Sequence, residues 1–346
     1  MDPSLPKDRF LRACRRQPVD TTPVWMMRQA GRSLPAYRKL REKYSFRQVA
    51  QDPALVAEVT LMPIEALKVD AAIIFADIMT PVASLGLDYH IIEGAGPVVE
   101  EPVRSIGDVN HLSATPVADA VPELFEAIRT VRKDLEGVAP LIGFAGAPFT
   151  LASYLVEGRA SREFRATRAL MHDDPATWDS LMEKLAELII EYLREQADAG
   201  IQAFQLFDSW VGALTPDEYS RSALPYSKRI FEETRPLGLP RIHFGTRTGA
   251  LLELMASVDA EVLGVDSTIP LDEAWRRAGA GRAIQGNLDP RALLGPADQM
   301  IEQAKDVLRR AEEARPGHIF NLGHGVLPQT PLENLQLLVE TVHEFS

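Results

Sequence analysis

The sequence predicts a single (β/α)8 barrel spanning residues 1–346. Eight short, almost continuously apolar runs recur along the chain, segments of helical period separate them, and a polar residue closes most of the runs. Parallel strands buried on both faces read this way, and eight alternations of strand and helix favour a closed barrel over a doubly wound open sheet. The composition is that of a globular protein, 46% hydrophobic and 25% charged.

The runs, in order, are TPVWMMR (22–28), DAAIIFAD (70–77), LIGFAGA (141–147), AFQLFDS (203–209), RIHFGT (241–246), EVLGVD (261–266), RAIQGN (282–287) and HIFNLGH (318–324). Each is too short for a helix. Helices are expected over 53–68, 118–136, 175–199, 217–234, 247–258, 271–278, 297–314 and 331–345. Asp52-Pro53, Asp174-Pro175, Thr215-Pro216 and Thr330-Pro331 each set a capping side chain before a helix-opening proline. The connection from 78 to 117 is too long for a simple loop. Gly86, Gly94, Gly96 and Pro97, around DYHIIE and PVVEE, predict a β-hairpin insertion after the second strand, placed to cover the barrel mouth or to touch a partner.

Barrel enzymes carry their chemistry at the C-terminal ends of the strands. Arg28, Asp77, Asp208-Ser209, Thr246, Asp266, Asn287 and His324 end the runs and are expected to converge on one mouth. Asp77, Ser209 and Asn287 could instead cap the next turn, and His324 could be a bonded loop histidine. Charge tips the balance. The chain carries −12 overall, yet residues 7–47 hold 12 Lys and Arg against three acids, leaving 25 basic and 46 acidic residues elsewhere. A local field of +9 in a chain otherwise at −21 steers small anions.

Other classes lack support. No GxGxxG or GxxxxGK[ST] loop is present, nor HExxH or paired His/Cys spacing, so neither nucleotide nor metal is expected. Acidic charge and 7% aromatics argue against nucleic acid. Cys14 is the only cysteine, which excludes an intramolecular disulfide and suits a reducing cytoplasm. No signal peptide is read, and the longest apolar run, AAIIFA, is too short to span a bilayer. His90, His111, His172 and His343 read as structural or exposed, His243 as a satisfied core or mouth histidine, and Met26 and Met27 as packing residues.

At PVWMMRQAGRSLPAYR and GFAGAPFTLASYLVEG (143–158) the chain resembles the uroporphyrinogen III decarboxylase family, and IIFADI, FDSW, QGNLDP and NLGHGVLPQTP follow in the expected places. The resemblance runs from about Pro18 to the C-terminus. It implies a (β/α)8 barrel that needs no cofactor, forms a homodimer and decarboxylates the four acetate arms of uroporphyrinogen, an octacarboxylate tetrapyrrole, giving coproporphyrinogen. By motif it implies Arg28, Gln29, Ala30, Gly31, Arg32, Arg41, Asp77, Tyr154, Ser209 and His324 as substrate contacts, with Asp77 catalytic. An octa-anion explains an arginine-lined mouth, since guanidinium forks bind carboxylates in paired hydrogen bonds. Arg28 and Arg32 are expected to depress the Asp77 pKa and keep it ionised. The chain departs from the family at Ser33, where an aromatic is common, at HFGTRTG (243–249), which lacks a usual lysine, and at VDST (265–268), which replaces Leu-Asp-Trp. Two rival readings are a corrinoid-dependent methyltransferase, which would require a zinc site, and a non-catalytic tetrapyrrole carrier.

Overall fold

The computed structural model describes residues 7–92, 96–113, 115–279 and 281–345. Its strands are β1 (Ala72–Ile73), β2 (Tyr89–Ile92), β3 (Gly96–Val99), β4 (Leu141–Gly146), β5 (Ala203–Asp208), β6 (Arg241–Gly245), β7 (Val262–Gly264), β8 (Ala283–Leu288) and β9 (His318–Leu322). Seven of them form one parallel sheet in the order β1-β4-β5-β6-β7-β8-β9. Their residues are buried almost throughout, as expected of staves covered by helices outside and side chains inside.

The eighth stave is the predicted first strand, and it closes the ring differently. Val24 forms a single parallel bridge to Phe320 in β9, while the Asp70 amide donates to the Val24 carbonyl on the β1 side (2.8 Å). The Met27 carbonyl accepts the Val326 amide (2.8 Å), and side chains take the remaining donors: the amides of Val24, Met26 and Met27 donate to Asp70 Oδ2 (2.7 Å), Gln29 Oε1 (3.0 Å) and Asn321 Oδ1 (3.2 Å). A barrel therefore forms as expected, but this stave is an extended segment clamped by side chains. Met26 and Met27 are core residues, as anticipated. Inside, Trp25 Nε1 donates to Gln285 Oε1 (3.0 Å) and Gln285 Nε2 to Gln205 Oε1 (2.8 Å), a buried chain of amides across the barrel.

Below the stave, Arg9 on helix Arg9–Cys14 pairs with Asp20 (2.5 Å) and Asp70 (2.9 Å), and His343 Nε2 lies 2.8 Å from Asp70 Oδ2. The N-terminal helix, β1 and the C-terminal helix Leu332–Glu344 thus meet at one carboxylate.

The caps behave as expected at three starts out of four. Asp52 accepts from Ala54 and Leu55, Asp174 from Thr177, and Thr215 from Glu218 in a reciprocal capping box. Thr330 does not cap: its hydroxyl is buried with no partner among the described residues, and Pro331 takes the cap position. The helix expected over 217–234 is broken at Ala223 into Pro216–Ser222 and Leu224–Thr234, with Pro225 opening the second piece. Between β1 and β4, β2 and β3 pair antiparallel; Gly94, part of the anticipated turn, lies outside the described residues. The Val99 amide donates to Gly158 O (2.8 Å), tying this pair to helix Pro148–Glu157.

Candidate active site

The chain reaches Asp77 through a fixed approach. The Phe75 amide donates to Thr60 Oγ1 (3.0 Å), and buried Thr60 in turn donates to Val56 O (2.7 Å). Asp77 Oδ1 then accepts the Met79 amide (2.8 Å), and the Asp77 amide donates to Thr80 Oγ1 (3.3 Å). One oxygen therefore performs the turn-capping role that sequence alone could not exclude. Oδ2 accepts nothing from the described residues.

Asp77 keeps some exposed surface at the mouth but is walled by protein on most sides. Burial pushes its carboxyl above the ordinary carboxylate range; the Met79 amide and the Arg28 guanidinium only partly oppose this. The expected depression by Arg28 and Arg32 is therefore corrected. Desolvation outweighs Arg28. Burial, reinforced by the Asp77 charge, also pushes the phenols of Tyr89, Tyr154 and Tyr192 upward.

Arg28 is exposed and sits in the left-handed region at φ 61°. A Cβ on Gly325 would lie 2.4 Å from Arg28 Cδ, so only glycine lets this side chain cross the loop after β9. Arg41 lies over the rings of Tyr37 (5.8 Å) and Phe46 (5.9 Å) and donates to Tyr37 Oη (3.1 Å), and both rings contact Phe75, two residues before Asp77. Arg32, Arg38 and Arg41 line a cleft of about 460 Å³ with Glu42, Pro328 and Gln329, beside the loop that carries His324. The Ala30 and Gly31 amides have no acceptor among the described residues.

Gln29, by contrast, is fully buried. Its side chain accepts from Met26 and donates to Ala71 O (3.0 Å), holding the arginine loop to β1. Ser33 is buried. His324 is exposed and accepts the Gly325 amide at Nδ1 (2.7 Å), which places its neutral-form proton on Nε2; partial desolvation and Arg28 lower its pKa, with Asp266 opposing. Tyr154 packs edge-on against Trp210 (6.0 Å). The Ser209 carbonyl accepts from Thr246 Oγ1 (2.6 Å), so the loops after β5 and β6 are joined there.

Two of the expected mouth residues serve the scaffold. Asn287 Nδ2 donates to Asp266 O and Ile269 O (2.8 and 2.7 Å). Asp208 faces the helices, 3.2 Å from His243 Nε2, with Ser227 donating to it (3.3 Å). Strand parity decides this: Gln205 and Phe207 point inward, so Asp208 points outward. His243 is buried but only half satisfied, its Nδ1 having no partner among the described residues. Sequence reasoning missed the edge-to-face aromatic series Phe144–Phe207–Phe244 (5.6 and 5.9 Å) and Tyr89 on β2, which lies near enough to Asp77 to feel its charge. Period-2 alternation within the apolar runs was the available signal for the aromatics.

Among the described residues, no three His, Cys, Asp or Glu side chains cluster to hold a metal ion. Cys14 is buried and lines a cleft with Arg16, Glu261 and Arg282, at the strand ends opposite the mouth. No helix among the described residues is long and apolar enough to cross a membrane.

Known proteins carry the same frame. The chain matches a methyltransferase from Methanosarcina mazei at 20% identity with a TM-score of 0.81, covering 98% of both chains, which speaks to the fold alone. It is 48% identical over 339 residues to a uroporphyrinogen decarboxylase from Carboxydothermus hydrogenoformans, covering 98% of this chain and 97% of that one. It is 52% identical over 335 residues to a uroporphyrinogen decarboxylase from Streptomyces griseus, covering 97% and 91%. The family model for uroporphyrinogen decarboxylase matches residues 5–345. Half-identity along almost the entire chain, on a barrel whose arginine loop faces a buried aspartate, places this chain in the uroporphyrinogen decarboxylase family.

Proposed function

We propose that the chain removes CO2 from the four acetate arms of uroporphyrinogen III, leaving methyls and giving coproporphyrinogen III without a cofactor. The observation that carries this is Asp77: a carboxylate deep in the mouth, with one oxygen fixed by Met79 and the other meeting no donor among the described residues. Family membership supports the substrate.

Loss of CO2 leaves an electron pair on a CH2 beside the pyrrole. A proton added first at the adjacent ring carbon makes the ring a cationic sink. The C–C electrons then flow into it, CO2 departs, and the exocyclic carbon takes up a proton as the ring regains its aromatic state by losing one. The net change is one proton consumed and one CO2 released for each arm. Asp77 accepts pyrrole N–H groups through its unpartnered oxygen, and its charge stabilises the ring cation as it develops. A fixed charge aimed at a developing one is commonly the largest catalytic contribution. Burial makes that charge expensive in the free protein and strongly felt by the substrate.

Arg28, Arg32 and Arg41 grip carboxylates that do not react, because a tight bridge to the reacting one would be lost with CO2 and would raise the barrier. Ala30 and Gly31 offer peptide N–H groups to the same arms. Tyr154, Ser209 and His324 orient the macrocycle, with Nε2 the donor of His324. The reacting acetate stands over the aromatic edge of Phe144 and Phe207. Gln29 acts through the loop it holds. The resemblance further implies a homodimer working in the cytoplasm as a single barrel domain.

Incubation with uroporphyrinogen under anaerobic conditions, with the product's carboxyls counted, tests the reading: four must disappear. Bound but unchanged octacarboxylate would make the protein a carrier instead. Because Asp77 is needed ionised and its pKa lies above the ordinary value near 4, the acid limb of kcat/KM is expected above pH 4; a limb at or below that value would remove Asp77 from the role. Arg32→Ala is expected to raise KM, with the gap from the parent narrowing as salt screens the interaction. A gap indifferent to salt would show that Arg32 does not act by charge.

A further inference from the structure

The arginines assigned so far stand on one side of the mouth, in or after the stave at 22–28. An octacarboxylate carries its arms all round the ring, so the opposite side needs a cation too. β6 is the stave diametrically opposite, four places away in either direction around the ring.

Arg247 follows β6. Its backbone is left-handed at φ 56°, a region a residue with a Cβ occupies only when its surroundings impose it, and such residues gather at ligand sites. The imposing contacts are identifiable. The Arg247 amide donates to Oδ2 of Asp266, which is 5% exposed, while Oδ1 is held by the Thr268 amide (3.1 Å) and hydroxyl (2.6 Å). From the other side, the loop after β5 presses close: a Cβ on Gly212 would lie 2.0 Å from Thr246 O and 2.8 Å from Arg247 O. Thr246 itself is tied to Ser209 O. The backbone is thus fixed between β5 and β7, yet the side chain it presents is exposed and makes no hydrogen bond or ion pair among the described residues. A turn needing only this conformation would be met by glycine.

We propose that Arg247 binds a carboxylate arm of the tetrapyrrole on the side of the mouth opposite Arg28, Arg32 and Arg41, with Asp266 its positioning residue. This rests on the substrate proposed above and extends it to the far half of the ring. The HFGTRTG segment lacks the lysine common in the family, and Arg247 is the cation it carries.

Arg247→Gly keeps the left-handed backbone and deletes the guanidinium. Anaerobic initial rates with uroporphyrinogen are expected to show KM raised about tenfold with kcat within about twofold, and a melting temperature no lower than the parent's. Arg247→Lys should recover part of the affinity, since charge returns without the planar fork. A glycine variant with KM within about twofold of the parent overturns the assignment while leaving the decarboxylase reading intact. Equal losses in the glycine and lysine variants also overturn it, marking a structural role. A parent protein that leaves all eight carboxyls in place defeats the underlying function, and this inference with it.

Discussion

Asp77→Asn is expected to lower turnover by at least about a hundredfold while raising the melting temperature of the unliganded protein at pH 7. The two effects share one origin. Asparagine keeps the oxygen that accepts the Met79 amide, so the turn survives. It removes a charge that burial holds at a cost, and that cost is what the ring cation later relieves. The linkage has a definite sign. A carboxyl whose pKa is raised in the folded state favours folding below its unfolded pKa, near 4, and loses that favour as pH rises through the folded value. The stabilisation of the variant should therefore be visible at neutral pH and fade toward pH 4. Thermal melts at both pH values, beside single-turnover rates, check both halves. A variant that melts lower at pH 7 would mean that Arg28 compensates the buried charge fully. Parental turnover would remove Asp77 from the chemistry.

Arg9→Ala is expected to lower stability by about 3–5 kcal/mol, the usual loss when one partner of a buried ion pair is deleted. The Asp70 side chain is only 10% exposed and would be left with the Val24 amide and His343. The same carboxylate joins the N-terminal helix, the closing stave, β1 and the C-terminal helix, so its loss of a counter-charge reaches both ends of the chain. Denaturant midpoints measure it. A change below about 1 kcal/mol would place the pair among surface bridges of little consequence.

The strands were legible because staves buried on both faces leave nearly unbroken apolar runs, and their ends because polar residues interrupt them. The arginine loop and Asp77 were legible for the same reason, with the family motif beside them. Three features were not. Asp208 and Ser209 are adjacent, and parity alone sends one outward and leaves the other near the mouth. Asp77's raised pKa depends on burial by the folded chain around it, which outweighs the opposing Met79 amide and Arg28. Gln29 reads as a ligand contact inside a motif, whereas its amide holds the loop to β1. Each depends on where a neighbour from another element stands, and a local pattern does not carry that.

The closing stave has a consequence for motion. An edge-to-edge ladder protects its amides cooperatively, but here Val24, Met26 and Met27 rely on three separate acceptors, Asp70, Gln29 and Asn321. Such a seam parts locally, so deuterium should enter at 24–27 sooner than in β5 or β8. The cationic loop grows directly from that seam. A polyanion spanning the mouth would therefore fasten the cylinder shut, and slower exchange at those three amides would report how firmly it is held.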